Sequence, residues 1–252
     1  MMHAGRKRLL AELRKQVEGI ERGRALRRDT LAFGIPDIDK HLPAGGLKLG
    51  AVHEVLEAGP AADHAALASL FVAGHFAKLT GPVLWCLRGR DLFAPALARV
   101  GLHPDRVIYA ETWKDAEVLP VMEEGLRHRG LAGVVGEVGR LPLTASRRLQ
   151  LAAESTGTLA FVIRRWRCGA ERQLGEVSAA PTRWRISPGQ APPLPAPGLG
   201  RARWLVDLVR AKGAEPRSWI LEACDAKGRL RLPADLADGQ VAPHEGRRLA
   251  VG

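Results

Sequence analysis

From Val52 onward the chain repeats one pattern. A short, continuously apolar run is followed by a stretch whose apolar residues recur every three or four positions. The runs are Val52 to Leu56, "PVLWCL" (82–87), "RVIYA" (106–110), "AGVVGEV" (132–138) and "TLAFVIR" (158–164). Between them lie helical patterns marked by Leu67, Leu70, Phe71 and Gly74, then Phe93, Leu97 and Val100, then Val118, Met122 and Leu126, and finally Leu149. Continuous apolar runs are what parallel strands covered on both faces require, and their alternation with helices demands crossover connections. The pattern predicts an α/β core with a mostly parallel sheet flanked by helices.

The flanks follow other rules. Between Arg6 and Arg28, Leu9, Leu13, Val17 and Ile20 recur at helical spacing among Arg, Lys and Glu, which predicts a basic amphipathic helix over residues 1–30. Its apolar stripe is one or two residues wide and must be buried against its own core, a partner groove or a neighbouring subunit. We read Leu9, Leu13, Val17 and Ile20 as a partner-docking stripe. The core spans 31–186. Residues 187–200, "SPGQAPPLPAPGLG", are a Pro/Gly-rich loop. Residues 201–224 alternate around a Gly/Pro-containing turn at 213–216 and predict two antiparallel strands continuing the sheet, followed by a polar tail at 225–252.

Charge changes the picture through its distribution. The 252 residues carry a net charge of +11. Nine basic and four acidic residues precede position 31, residues 31–160 hold 13 basic and 14 acidic, and 161–252 hold 16 and 9. A neutral middle with two basic ends invites a polyanion or an acidic protein surface, although arginine-rich solvation of the ends accounts for the same numbers. Cys86, Cys168 and Cys224 form no CxxC pair, so neither a disulfide framework nor a zinc site is expected, and a cytoplasmic location fits. The opening "MMHAGRKRLL" is basic without an apolar run behind it, and no stretch reaches the ~20 apolar residues of a membrane span.

The stretch "EVLEAGPAADHAALASLF" (54–71) has the strand, Gly-Pro turn and helix of a phosphate-binding loop. Its chemistry is missing. Such a loop cradles phosphate with backbone amides, neutralises it with a lysine and ligates magnesium through a hydroxyl. Gly59 and Pro60 remain, but His64 stands where a glycine belongs, Ala65 where the lysine belongs and Ala66 where the hydroxyl belongs. The expectation is a degenerate loop with no cofactor, no metal and no catalytic residue. A different surface is suggested by "RRWRCGAERQ" and "TRWRISP", where Arg164, Arg165, Arg167, Arg183 and Arg185 would meet phosphates while Trp166 or Trp184 stacks on an unpaired base.

The leader "FGIPDIDKHLPAGGLKLGAVHEVLEAGP" resembles the opening of the RecA recombinase core. Together with the eroded loop, "TRWRISP", the Pro-rich break and "RWLVDLVRAKG…SWILE", the chain is most similar, over roughly residues 30 to 225, to the ImuA family of RecA-like accessory proteins in SOS mutagenesis. The resemblance lets the remaining ATPase positions be checked. The magnesium-orienting aspartate aligns with Gly136, leaving Glu137 one place away. The water-polarising glutamate falls near Gly89, with Asp91 the nearest acid, and the polar sensor is replaced by Arg164 and Arg165. The family implies a non-catalytic adaptor in translesion DNA synthesis. Its implied partners are an ImuB-like Y-family polymerase relative, an error-prone polymerase III α-type subunit and the RecA filament, while the basic, aromatic segments add DNA and the lack of an apolar span argues against a membrane. Two alternatives stay open from the residues: a DNA-binding recombination modulator, and a SulA-like inhibitor of cell division.

Overall fold

The computed structural model describes residues 30–89, 91–166, 176–190 and 201–233. The predicted docking helix with Leu9, Leu13, Val17 and Ile20, the candidate Arg167, Cys168 and most of both the Pro/Gly-rich loop and the polar tail lie outside them.

The alternation read from the sequence is present. Strand β3 (Val52–Glu57) leads into helix α2 (Ala61–Ala77), β4 (Val83–Leu87) into α3 (Ala94–Arg99), β5 (Val107–Glu111) into α4 (Asp115–Arg127) and β6 (Gly133–Val138) into α5 (Leu143–Thr156), which returns to β7 (Leu159–Arg164). Before them, a two-stranded ribbon of β1 (Thr30–Leu31) and β2 (Leu47–Lys48) brackets α1 (Pro36–His41). After them come β8 (Thr182–Gly189), β9 (Arg203–Ala211) and β10 (Arg217–Glu222). One eight-stranded sheet has the order β10-β9-β8-β3-β7-β6-β4-β5. Strands β3 to β8 pair in parallel, and β9 and β10 are antiparallel additions at one side. The fold is thus α/β with a mostly parallel sheet and C-terminal antiparallel strands, as the periodicity predicts.

Each parallel strand sends alternate residues to opposite faces, and each face builds its own core. On one face Val55, Trp85, Val135, Phe161, Ile163 and Trp184 pack against Phe71, Val72 and Phe76 of α2. On the other, Val52, Cys86, Val134 and Val162 meet Val118, Met122 and Leu126 of α4 and Leu149 of α5. A Cβ added at Gly133 would lie 1.8 Å from the Phe76 ring, so α2 can sit this close only because β6 begins with glycine. Gly157, at φ 75°, ends α5 in the left-handed conformation that glycine adopts without steric cost.

The acids of the leader have structural work. Asp39 accepts hydrogen bonds from the Phe33 and Gly34 amides at 2.7 and 2.9 Å, folding the leader back on itself. Asp37 accepts from Trp219 Nε1 at 2.6 Å and pairs with Arg217 at 2.8 Å, tying α1 to β10. Ile38 between them is buried. The unexpected element is β8. The segment "TRWRISPG" reads as a basic, aromatic surface, yet it lies inside the sheet, parallel to β3 on one side and antiparallel to β9 on the other. It also runs to Gly189, into the first residues of the predicted loop.

Candidate functional site

The parallel strands β3, β4, β6 and β7 end along one edge of the sheet, the place where crossover folds gather ligands. The turn after β3, residues 58–60, carries Gly59 and Pro60 and enters α2 with no side chain capping the helix. The His64 imidazole lies against Gly59, whose added Cβ would sit 2.6 Å from Cδ2 and Nε2. The ring fills the inside of the turn, and its buried Nδ1 has no partner among the described residues. Ala66 is exposed and offers only a methyl group. The side chain of Ala65 lies outside the described atoms.

Beside this turn is a cavity of about 310 Å³ lined by Glu57, Arg88, Gly89, Asp91, Glu137, Arg165 and Trp166. Arg165 is its centre. The guanidinium pairs with Glu57 at 2.7 Å, with Asp91 at 3.3 Å and with Glu137. The remaining oxygen of Glu57 accepts from the Trp166 amide at 2.5 Å, and that of Glu137 from Trp85 Nε1 at 2.7 Å. All four oxygens of the two buried glutamates are therefore engaged by fixed donors. Burial raises the Glu137 carboxyl above its ordinary range, and the Arg165 charge opposes that rise. Burial also disfavours the charge on Arg165, but Glu137 and Glu57 outweigh it and hold the guanidinium firmly protonated.

Register explains why Glu137 faces the cavity. A Cβ on Gly136 would lie 2.7 Å from Met122 Sδ, so position 136 faces α4, while 137 faces the side of Trp85 and Ile163. The displaced acid occupies the ligand edge, although its carboxylate is already neutralised. A nucleoside triphosphate with magnesium does not fit these residues. The cavity holds three carboxylates against Arg165 and Arg88, the lysine is missing, and the oxygens that would receive a metal are bonded to an arginine and two N–H groups.

Arg164, the neighbour of Arg165, points to the opposite face of the sheet. There it pairs with Glu54 at 3.2 Å and Glu176 at 2.7 Å, and Arg183 approaches the other oxygen of Glu54 at 3.1 Å. Ser178 donates to the same carboxylate, and Arg210 lies 3.9 Å from it. Glu54, Arg164 and Arg183 are all buried.

These placements correct the nucleic-acid surface read from the sequence. Arg164, Arg165 and Arg183 hold buried carboxylates rather than facing solvent. Trp184 is fully buried against Phe33, Phe71 and Trp219, its Nε1 donating to Thr182 at 2.8 Å, so no face of the ring is open to a base. Arg185 is 40% exposed and paired with Asp207 at 2.8 Å, and Trp166 is half-buried on the cavity rim. The candidates thus divide between two sheet faces instead of forming one patch. Glu54, Glu57 and Trp85 were missed, although "VHEVLE", with two glutamates in an otherwise buried run, signals buried cationic partners.

No family model matches the chain. Two curated proteins, each named Protein ImuA and both from Caulobacter vibrioides (strains NA1000 / CB15N and ATCC 19089 / CIP 103742 / CB 15), are 41% identical to it over 231 residues. The match covers 86% of this chain and 95% of each relative.

Proposed function

The chain belongs to the ImuA family, and from that premise we propose that it is a non-catalytic, RecA-like adaptor in damage-induced, error-prone translesion DNA synthesis. In this reading it bridges an ImuB-like Y-family polymerase relative and an error-prone polymerase III α-type subunit, with the RecA filament as a further partner. The observation that carries the absence of catalysis is the Arg165 knot. Phosphoryl transfer is driven by positioned cations around the developing charge. Here the loop lysine and hydroxyl are replaced by Ala65 and Ala66, the turn is filled by His64, and the Arg165 guanidinium of the cavity is bound to Glu57 and Glu137. A fold with its ligand edge closed in this way still presents rigid surfaces, and an adaptor requires only those.

The test has two arms. Purified protein, with and without single-stranded DNA, is expected to release phosphate from ATP no faster than the Glu137→Ala variant. An affinity-tagged chain recovered from DNA-damaged cells is expected to bring down an ImuB-like protein and an α-type polymerase, identified by mass spectrometry. DNA-stimulated turnover lost on Glu137→Ala overturns the non-catalytic half. Recovery of neither polymerase component overturns the adaptor half.

A further inference from the structure

Trp113, in the turn between β5 and α4, is 92% exposed. The turn that carries it is nevertheless firmly built. The Thr112 amide donates to Leu87 O at 2.9 Å, Thr112 Oγ1 donates to Lys114 O at 3.2 Å, and one oxygen of Glu117 accepts from the amides of Trp113 and Lys114, both at 3.3 Å. Asp115 accepts from the Gly139 amide at 3.1 Å and ties the start of α4 to the end of β6. These bonds hold the backbone while the indole stays in water. A tryptophan brings about 150–250 Å² of burial to an interface, and one presented on a fixed turn loses little backbone freedom when it binds.

The neighbouring charges select the occupant. Leu87 pairs with Glu111 across the β4–β5 ladder, which sets Arg88 beside Thr112 and Trp113 at the strand ends. Arg88 is exposed, lines the ligand-edge cavity and makes no ion pair or hydrogen bond among the described residues. The acids of the same loops are engaged: Asp91 by Arg165, Asp115 by the Gly139 amide and Glu117 by its own turn. Arg88 is thus a cation beside the indole that still lacks a carboxylate. A phosphate chain is poorly suited to supply the anion. Glu111, Asp115 and Glu117 bring three carboxylates to within four residues of the ring, and a polyanion passing it would meet them. A single protein carboxylate set beside an apolar pocket can reach Arg88 without crossing them. The loop that presents Arg88 ends at Phe93, 68% exposed, which adds a second open ring to this surface.

We propose that Trp113 is the anchor of a protein–protein interface, inserting into an indole-sized apolar pocket of a partner protein whose rim carries a carboxylate opposite Arg88, with Phe93 packed at the border. The inference rests on the adaptor reading, to which it assigns a surface.

The full-length chain with the photo-crosslinking residue p-benzoylphenylalanine in place of Trp113 is irradiated in DNA-damaged cells, beside a control carrying that residue in place of the exposed Arg147. The expected result is an adduct with a different protein from position 113 and not from position 147. The captured protein, identified by mass spectrometry and purified, is then titrated with wild type and variants. Trp113→Ala should weaken binding at least about tenfold while melting with the wild type, because the ring touches little of its own fold. Arg88→Glu should weaken it in low salt, with a deficit that shrinks as salt rises. Adducts only with a second copy of this chain, adducts with DNA, or no adduct overturn the proposal, as does an affinity indifferent to Trp113→Ala or to Arg88→Glu. The adaptor reading fails separately, when the wild-type chain recovers neither polymerase component, and a captured protein whose binding depends on Trp113 keeps the surface even then.

Discussion

Arg165→Met tests the internal counter-ion directly, because methionine keeps much of the side-chain volume and removes the charge. In the native fold Arg165 is 13% exposed and faces Glu57 and Glu137, which are 1% and 5% exposed. Removing one partner of a buried ion pair costs about 3–5 kcal/mol, since the remaining charge stays desolvated and unpaired. For a chain of this size 1 kcal/mol corresponds to about 2–4 °C, so the melting temperature should fall by roughly 6–20 °C at pH 7.5. The pH dependence separates charge from packing. Burial already raises the Glu137 carboxyl despite Arg165, and without the guanidinium it rises further above its unfolded value. An acid whose folded pKa is raised is penalised above that pKa and relieved as pH falls through it, so the deficit should narrow toward about pH 5. Thermal unfolding followed by circular dichroism, with wild type and variant compared at each pH, gives the answer. A variant that melts with the wild type at pH 7.5 would refute the counter-ion role. A deficit of the same size at acid pH would assign the loss to packing alone.

On the opposite face, Glu54→Gln removes the carboxylate that Arg164 and Arg183 share and should cost about 3–5 kcal/mol in urea unfolding, while a loss under about 1 kcal/mol would mean that their remaining partners suffice. The fully buried His53 hydrogen-bonds to Lys48 O through Nε2 and to Thr182 Oγ1 through Nδ1, and burial lowers its pKa to about 4. Its folded pKa lies below the unfolded 6.5, so its contribution is complete above pH 6.5 and lost as pH falls toward 4, by up to about 3 kcal/mol. His53→Gln should flatten that interval relative to wild type, and parallel stability curves for the two proteins would rule out the assignment.

The sequence by itself determined the elements whose cause is local. Continuous apolar runs and three-to-four spacing place β3 to β7 and their helices because strand and helix periods are properties of a short window. The hairpin of β9 and β10 was legible for the same reason, as alternation around a Gly/Pro turn. That Ala65 and Ala66 supply neither charge nor a ligand was legible residue by residue, since alanine offers neither in any conformation. Strand β8 was not, because its parallel partner β3 lies about 130 residues earlier, as in Glu54↔Arg183, and a strand buried by distant segments need not look apolar. The fates of Arg164 and Arg165 were equally hidden. Adjacent in sequence, they leave β7 on opposite faces and meet Glu54 on one and Glu57 and Glu137 on the other. The side on which Glu137 emerges was fixed by Gly136 packing on Met122, a contact between strand and helix. Charges that look like a nucleic-acid surface in one dimension become internal counter-ions in three, because burial without a partner costs more than any single contact with solvent returns.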